Sequence, residues 1–334
     1  MRTFIVLLSI FLSAPYPIGC GGHAWAWQPA INLPVVPVLY DSDSQQPTIQ
    51  GLLRGLEDRG WRTGHSMILQ PIHIPYDGVQ ISSEGIAQIR QLIRQSPAAI
   101  VTLTTELAQS VRSLMLDSEI PVIMAPAADP IACGMVSSLL HPGQNLTGIS
   151  YSEQENRRLK WMTSLAPGVK TLWVPYDHGN CVPSGVLESL RSSAEKLGLT
   201  LISSDIRDES DLDRALSTLP ASVQGIFLIT DPLLLTQSER ILAAARHRKL
   251  PVSSPFSELT AQGALFSYAF RRYELGVQAS RMVALILSGT PATYIPIEQA
   301  EPVLTINTTV AERLHMAIPP RYLRQAILVR GTGL

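Results

Sequence analysis

Residues 121–151, PVIMAPAADPIACGMVSSLLHPGQNLTGISY, decide the fold. Val122-Ile123-Met124 is an apolar run of the length of a short buried strand, and it ends at Ala125-Pro126. Asp129-Pro130 then carries the signature of a helix start. The aspartate carboxylate accepts from a first-turn N–H that has no partner inside the helix. Proline at the first helical position gives up only an N–H that would be idle anyway. His141-Pro142-Gly143 stops the expected helix, and residues 144–148, QNLTG, read as a turn-rich crossing segment. A strand end meeting a helix N-terminus is where an open α/β sheet binds small ligands.

Strand and helix signals alternate on both sides of this block. Residues 33–40, LPVVPVLY, end in the polar turn Asp41-Ser42-Asp43-Ser44. A helix is expected over 47–60, with Ile49, Leu52, Leu53 and Leu56 at helical spacing. Residues 67–74 form a second strand weakened by Pro71. A helix over 82–95 and a strand over 98–103 lead to Thr104-Thr105-Glu106 at another helix start. After residue 151 the alternation restarts. Helices are expected over 153–165, 183–197, 209–219 and 273–287, and strands over 171–175, 200–203, 225–229, 251–253 and 264–268. Such alternation means right-handed crossovers and parallel sheets. Each half has a strand end followed by Asp-Pro, at Asp129-Pro130 and at Asp231-Pro232. The fold class expected is α/β: two doubly wound parallel-sheet lobes facing each other across a cleft.

The 334 residues suffice for two such lobes, by a soft prior of roughly 100–200 residues per domain. Net charge is -1, from 26 basic and 27 acidic residues, and no block of like charge stands out. A general nucleic-acid partner, which needs a basic surface to displace counterions, is thereby disfavoured. Arg2 precedes the apolar run 4–12, FIVLLSIFL, which is too short to span a bilayer, a task for about 20 apolar residues. With the small-x-small site Ala24-Trp25-Ala26 it reads as a secretory signal over residues 1–26. The alternative is lipidation at Cys20, which follows Ile18-Gly19. No later stretch is long and apolar enough to span. In an exported chain Cys133 and Cys181 remain. Pairing between them is open, and two separate small residues are the plainer reading.

No phosphate loop, no dinucleotide-binding glycine motif and no Gly-x-Ser-x-Gly elbow is present. The strand-end hydroxyls Ser42, Thr104, Thr105 and Ser254 either cradle a ligand carboxylate beside helix N-terminal N–H groups or simply cap helices. Asp129 and Asp231 cap helices, and if they reach the cleft they receive a ligand ammonium. Tyr40, Tyr176, Phe256 and Tyr268 sit at or near strand ends, where rings stack on an apolar ligand or fill the core. Asp177-His178 with Cys181 lacks the paired spacing of a zinc site, so neither metal nor cofactor is expected. The ligand-binding candidates are thus Tyr40, Ser42, Thr104, Thr105 and Asp129 from the first half, and Tyr176, Asn180, Asp231 and Ser254 from the second.

Several stretches, in order, resemble a known family. They are residues 51–64, GLLRGLEDRGWRTG; Ile120-Pro-Val-Ile with Asp129-Pro130; Gly134-Met-Val-Ser-Ser-Leu; Pro142-Gly-Gln-Asn-Leu-Thr-Gly148; Gly263-Ala-Leu-Phe-Ser-Tyr268; Tyr273-Glu-Leu-Gly276; Gly289-Thr-Pro291; and Ile306-Asn307. The chain resembles the ABC transporter substrate-binding proteins related to the tryptophan- and tyrosine-binding lipoproteins, over about residues 33–329. The resemblance implies a type I periplasmic-binding-protein fold with a hinge. Crossings between lobes are expected near Ser150, Tyr268 and Thr293. Residues 33–150 with 269–292 would then make lobe 1, and 151–268 with 293–330 lobe 2. It also implies a monomeric periplasmic protein that performs no chemistry. Such a protein traps a small ligand, an amino acid or related carboxylate among the possibilities, and hands it to an ABC permease in the inner membrane. A ligand sensor partnering a membrane receptor or sensor kinase is the alternative use of this fold, and a periplasmic enzyme is an alternative of another class. The chain departs from the family at presumed ligand loops. Leu103-Thr-Thr-Glu-Leu stands where Gly-Thr-Pro-Ala is common, Pro175-Tyr176-Asp177-His178 where Asn-Pro is usual, and Gln144 where a second glycine is usual. Glu106 places a carboxylate where a ligand carboxylate would dock, and like charges disfavour an anion there.

Overall fold

Apolar runs bounded by polar turns become strands, and the segments of helical periodicity between them become the crossovers. The structure is a computed structural model that describes residues 32–76, 80–115, 118–152, 154–179 and 181–331, without the side chains of 181–185 and 232. The expected signal segment 1–26, its alternative Cys20, and Asn180 lie outside the described residues.

The first series runs β1 (Val35–Tyr40), α1 (Gln46–Asp58), β2 (Ile68–His73), α2 (Ser83–Arg94), β3 (Ile100–Thr102), α3 (Thr105–Leu114), β4 (Val122–Ala127) and β5 (Leu146–Ser150). The second begins with α4 (Gln154–Leu165), β6 (Thr171–Tyr176), α5 (Cys181–Leu197), β7 (Thr200–Asp205), α6 (Glu209–Ser217) and β8 (Gly225–Phe227). It continues with α7 (Pro232–Thr236), α8 (Ser238–His247), β9 (Val252–Ser254), α9 (Ser257–Gln262) and β10 (Phe266–Phe270). Last come α10 (Arg272–Leu287), β11 (Glu298–Gln299), β12 (Pro302–Asn307), α11 (Thr308–Arg313), α12 (Pro320–Leu323) and β13 (Ile327–Val329).

One sheet has the order β11-β5-β4-β3-β1-β2 and is parallel throughout. The other has the order β13-β12-β10-β9-β8-β6-β7 and is parallel except for the antiparallel pair β10–β12. Two doubly wound α/β lobes result. Pro71 is tolerated because β2 is an edge strand, paired on one side only, with Pro71 opposite Val38. Each sheet is buried on both faces, as parallel sheets require. In the first lobe Ile49, Leu52 and Leu56 of α1 and Leu275, Met282 and Val283 of α10 cover one face, and Ile89, Leu107 and Val111 cover the other. In the second, Leu159, Met162 and Leu190 cover one face, and Leu212, Ile241 and Leu259 the other.

The chain passes between the sheets three times. It leaves the first after Ser150 and returns between Phe270 and Arg272, where α10 docks on α1. It crosses finally between Gln299 and Pro302. That last crossing falls beyond Thr293 because Glu298 and Gln299 pair with Ile149 and Ser150 at the edge of the first sheet. The α1–α10 contact is a close one. A Cβ on Gly51 would collide with the Tyr273 carbonyl oxygen, and one on Gly276 with the Thr48 carbonyl oxygen.

Three features of the 121–151 block differ from expectation. Residues 130–134 form turns, not a helix. Asp129 does cap them, its Oδ1 accepting from Ile131 N (3.1 Å) and Ala132 N (3.0 Å). Gly134 at φ +63 then turns the chain back, burying Met135 and Val136 before a second helical turn can form. Residues 146–150 extend the sheet as β5, not as a crossing loop. Cys133 is disulfide-bonded, which corrects its reading as a separate small residue. Gln144, at φ +50, holds the left-handed conformation that a glycine would adopt freely, and Arg112 Nη2 donates to its Oε1 at 2.7 Å.

Candidate functional site

The strand ends of both sheets meet at a cavity of about 190 Å³. From β1 the chain runs into Asp41, which exchanges two hydrogen bonds with Gln45: Gln45 Nε2 donates to Asp41 Oδ1 (2.7 Å) and Asp41 N donates to Gln45 Oε1 (3.1 Å). The Thr104 hydroxyl donates to Asp41 Oδ2 (3.0 Å) and accepts from Leu107 N (3.3 Å), so it caps α3 while holding Asp41 in place. Thr105 Oγ1 accepts from Ala128 N (2.9 Å), tying the start of α3 to the end of β4. Glu106 follows in the first turn of α3. Asp41, Gln45, Thr104, Thr105 and Glu106 all line the cavity, with Tyr76 from the segment after β2.

The second lobe contributes Thr230, Asp231, Leu235 and Phe256. Asp231 caps α7: its Oδ1 accepts from Leu234 N (3.2 Å) and its Oδ2 from Asp177 N (2.8 Å). Burial raises its carboxyl above the ordinary aspartate range, against the opposing pull of those backbone N–H groups. Phe256 is aimed by Ser254, whose hydroxyl donates to Phe256 O (2.8 Å) and accepts from Phe256 N (3.0 Å). The connecting segments supply the rest. Tyr151 lies in the first crossing, and Phe270 and Arg272 flank the second. The Tyr151 and Phe270 rings lie 5.3 Å apart. Burial, then the charges of Glu106 and Glu155, holds the Tyr151 phenol well above its ordinary range, so it stays protonated.

Of the candidates read from the sequence, Ser42, Thr104, Thr105 and Asp231 line this cavity. Tyr40 packs edge-on against His73 at 5.3 Å. Asp129 caps its own turn, Tyr176 packs on the second-lobe core, and Ser254 stands behind Phe256. None of those four lines the cavity. Sequence reasoning missed Asp41, Gln45, Tyr76, Thr230, Tyr151, Phe270 and Arg272 as lining residues. Asp41 and Thr230 directly follow or near strand ends, a signal that was available. Tyr76 and Tyr151 come from segments without periodicity, which offer none, and Phe270 ends β10, two residues past the expected strand end at Tyr268. No group of three or more His, Cys, Asp or Glu placed to hold a metal occurs among the described residues.

A family model described as "ABC transporter substrate binding protein" matches residues 35–330. A tyrosine-binding protein of Clostridioides difficile is 24% identical over 282 residues, which are 83% of this chain and 79% of that protein. Among solved structures, an ABC domain from Streptococcus pneumonia in complex with L-Trp superposes with a TM-score of 0.78 at 22% identity, covering 89% of this chain and all of that one. A ligand-free, open substrate-binding protein from Clostridium difficile gives 0.73 at 20% identity, covering 90% of this chain and 100% of that one.

Proposed function

The chain belongs to the ABC transporter substrate-binding protein family, and from that premise we propose that it is the exported solute-binding component of an importer. It traps a small ligand between its lobes and presents the closed form to an inner-membrane permease, without chemistry of its own. The observation that supports this reading is the cavity itself, lined by Asp41, Thr105 and Glu106 from one lobe and by Thr230, Asp231 and Phe256 from the other. A ligand touching both lobes stabilises the closed form by the difference between its affinities for the closed and open forms, and by no more than that. Rings at Tyr151, Phe256 and Phe270 suit a ligand with an aromatic or apolar part. The relatives that bind tyrosine and L-Trp make an aromatic amino acid or a related compound the reference ligand.

No helix among the described residues is long and apolar enough to cross a membrane. Export through the N-terminal segment and action as a monomer complete the proposal. Native mass spectrometry of protein purified without refolding tests it: a small adduct that exchanges on dialysis against a competing solute is expected. A bare mass, together with no binding across a panel of amino acids and amines, would remove the reading.

A further inference from the structure

We propose that the cleft selects an aromatic ammonium ion without a carboxylate, an arylalkylamine, and that its charge clamps Asp41 of one lobe to Asp231 of the other. This rests on the solute-binding reading and narrows its ligand class. Asp41 and Asp231 line the same cavity, and neither is ion-paired among the described residues. Asp41 is held by neutral donors, Gln45 Nε2 and the Thr104 hydroxyl. Asp231 is held by two backbone N–H groups. Each is therefore oriented without a cationic partner among the described residues.

Glu106 is a third carboxylate on the wall, against one guanidinium, that of Arg272. Arg272 already has an anionic partner, with its Nε 3.5 Å from Glu258 Oε1, and its guanidinium lies 5.7 Å from the centre of the Phe256 ring. At Tyr151, the charges of Glu106 and Glu155 raise the phenol more than the charge of Arg272 lowers it.

At the N-terminus of α3 a ligand carboxylate meets competition. The Leu107 N–H is already taken by Thr104 Oγ1, and the Thr104 hydroxyl proton is given to Asp41. Glu106 adds a like charge in the same turn. Tyr76, Tyr151, Phe256 and Phe270 line the same cavity, and aromatic walls suit both an aromatic body and a cation.

A bound ammonium facing both carboxylates is attracted to each lobe, so closure follows cation binding.

Titration calorimetry with tryptamine, L-tryptophan and indole-3-acetate tests the proposal on the unaltered protein. Tryptamine is expected to bind at least tenfold tighter than L-tryptophan, and indole-3-acetate not to bind. Asp41→Asn and Asp231→Asn, checked for an unchanged fold by circular dichroism, should each weaken tryptamine at least tenfold. L-tryptophan within tenfold of tryptamine or tighter, measurable indole-3-acetate binding, or no binding by any of the three would overturn the ligand class. An exchangeable adduct in the native mass spectrum would still sustain the solute-binding reading in any of those cases.

Discussion

Glu155 and Arg158 form an ion pair sealed from solvent behind the cavity wall, with Arg158 fully buried and Glu155 4% exposed. Arg158 also donates to Leu228 O and to Ser253 Oγ (3.2 Å), and its guanidinium lies 4.2 Å from the centre of the Phe227 ring. Thr230, on the cavity wall, donates to Glu155 Oε1 at 3.3 Å. The pair thus ties α4, the first helix after the chain enters the second lobe, to the ends of β8 and β9. Burial pulls the guanidinium below its ordinary range, and the Glu155 carboxylate opposes that pull.

Removing one partner leaves the other charge buried and alone. Glu155→Ala and Arg158→Ala are each expected to cost about 3–5 kcal/mol in urea unfolding. The paired change Glu155→Gln with Arg158→Met should cost much less than the sum. Additive losses would mean that the two side chains do not act as a unit.

Helix α1 accepts α10 only because Gly51 and Gly276 lack side chains. Glycine to alanine in a helix interior ordinarily gains up to about 1 kcal/mol. Here the sign reverses, since the added Cβ meets a carbonyl oxygen of the facing helix. Gly276→Ala should destabilise the protein by about 1–3 kcal/mol, read as a lower melting temperature. A higher melting temperature would show that the helices can separate at little cost.

The raised carboxyl of Asp231 sets a pH dependence. Its folded value exceeds its unfolded value of about 3.9, so the folded protein binds the proton more tightly. The contribution to stability is largest below the unfolded value and is lost as pH rises through the folded one. The stability of the unaltered protein minus that of Asp231→Asn should therefore fall across that window and level off above it. A rising difference would assign the carboxylate a stabilising ionic partner.

The alternation of elements was legible because strand runs such as Val35–Tyr40 and helical faces such as that of α2 carry their periodicity locally. The helix expected after Asp129 was not, because its cap signal is genuine but Gly134 ends the segment after one turn to bury Met135. Tertiary demand there overrides a local cue. The site was half legible for a related reason. Ser42, Thr104, Thr105 and Asp231 follow strand ends and could be named from position alone. Tyr76 and Tyr151 reach the cavity from connecting segments, and Phe270 and Arg272 from the last residue of β10 and the first of α10, where direction depends on how the two sheets face each other. Tyr40 and Tyr176 end strands but pack on His73 and on the second-lobe core.

Small-angle X-ray scattering tests the central claim most directly. Protein stripped of bound solute by exhaustive dialysis would be measured alone and then with saturating tryptamine, L-tryptophan or L-tyrosine. Closure of two lobes on a solute predicts a smaller radius of gyration with at least one of them, reversed on dialysis. Identical scattering curves in every case, with calorimetry showing that one of the three is bound, would contradict it.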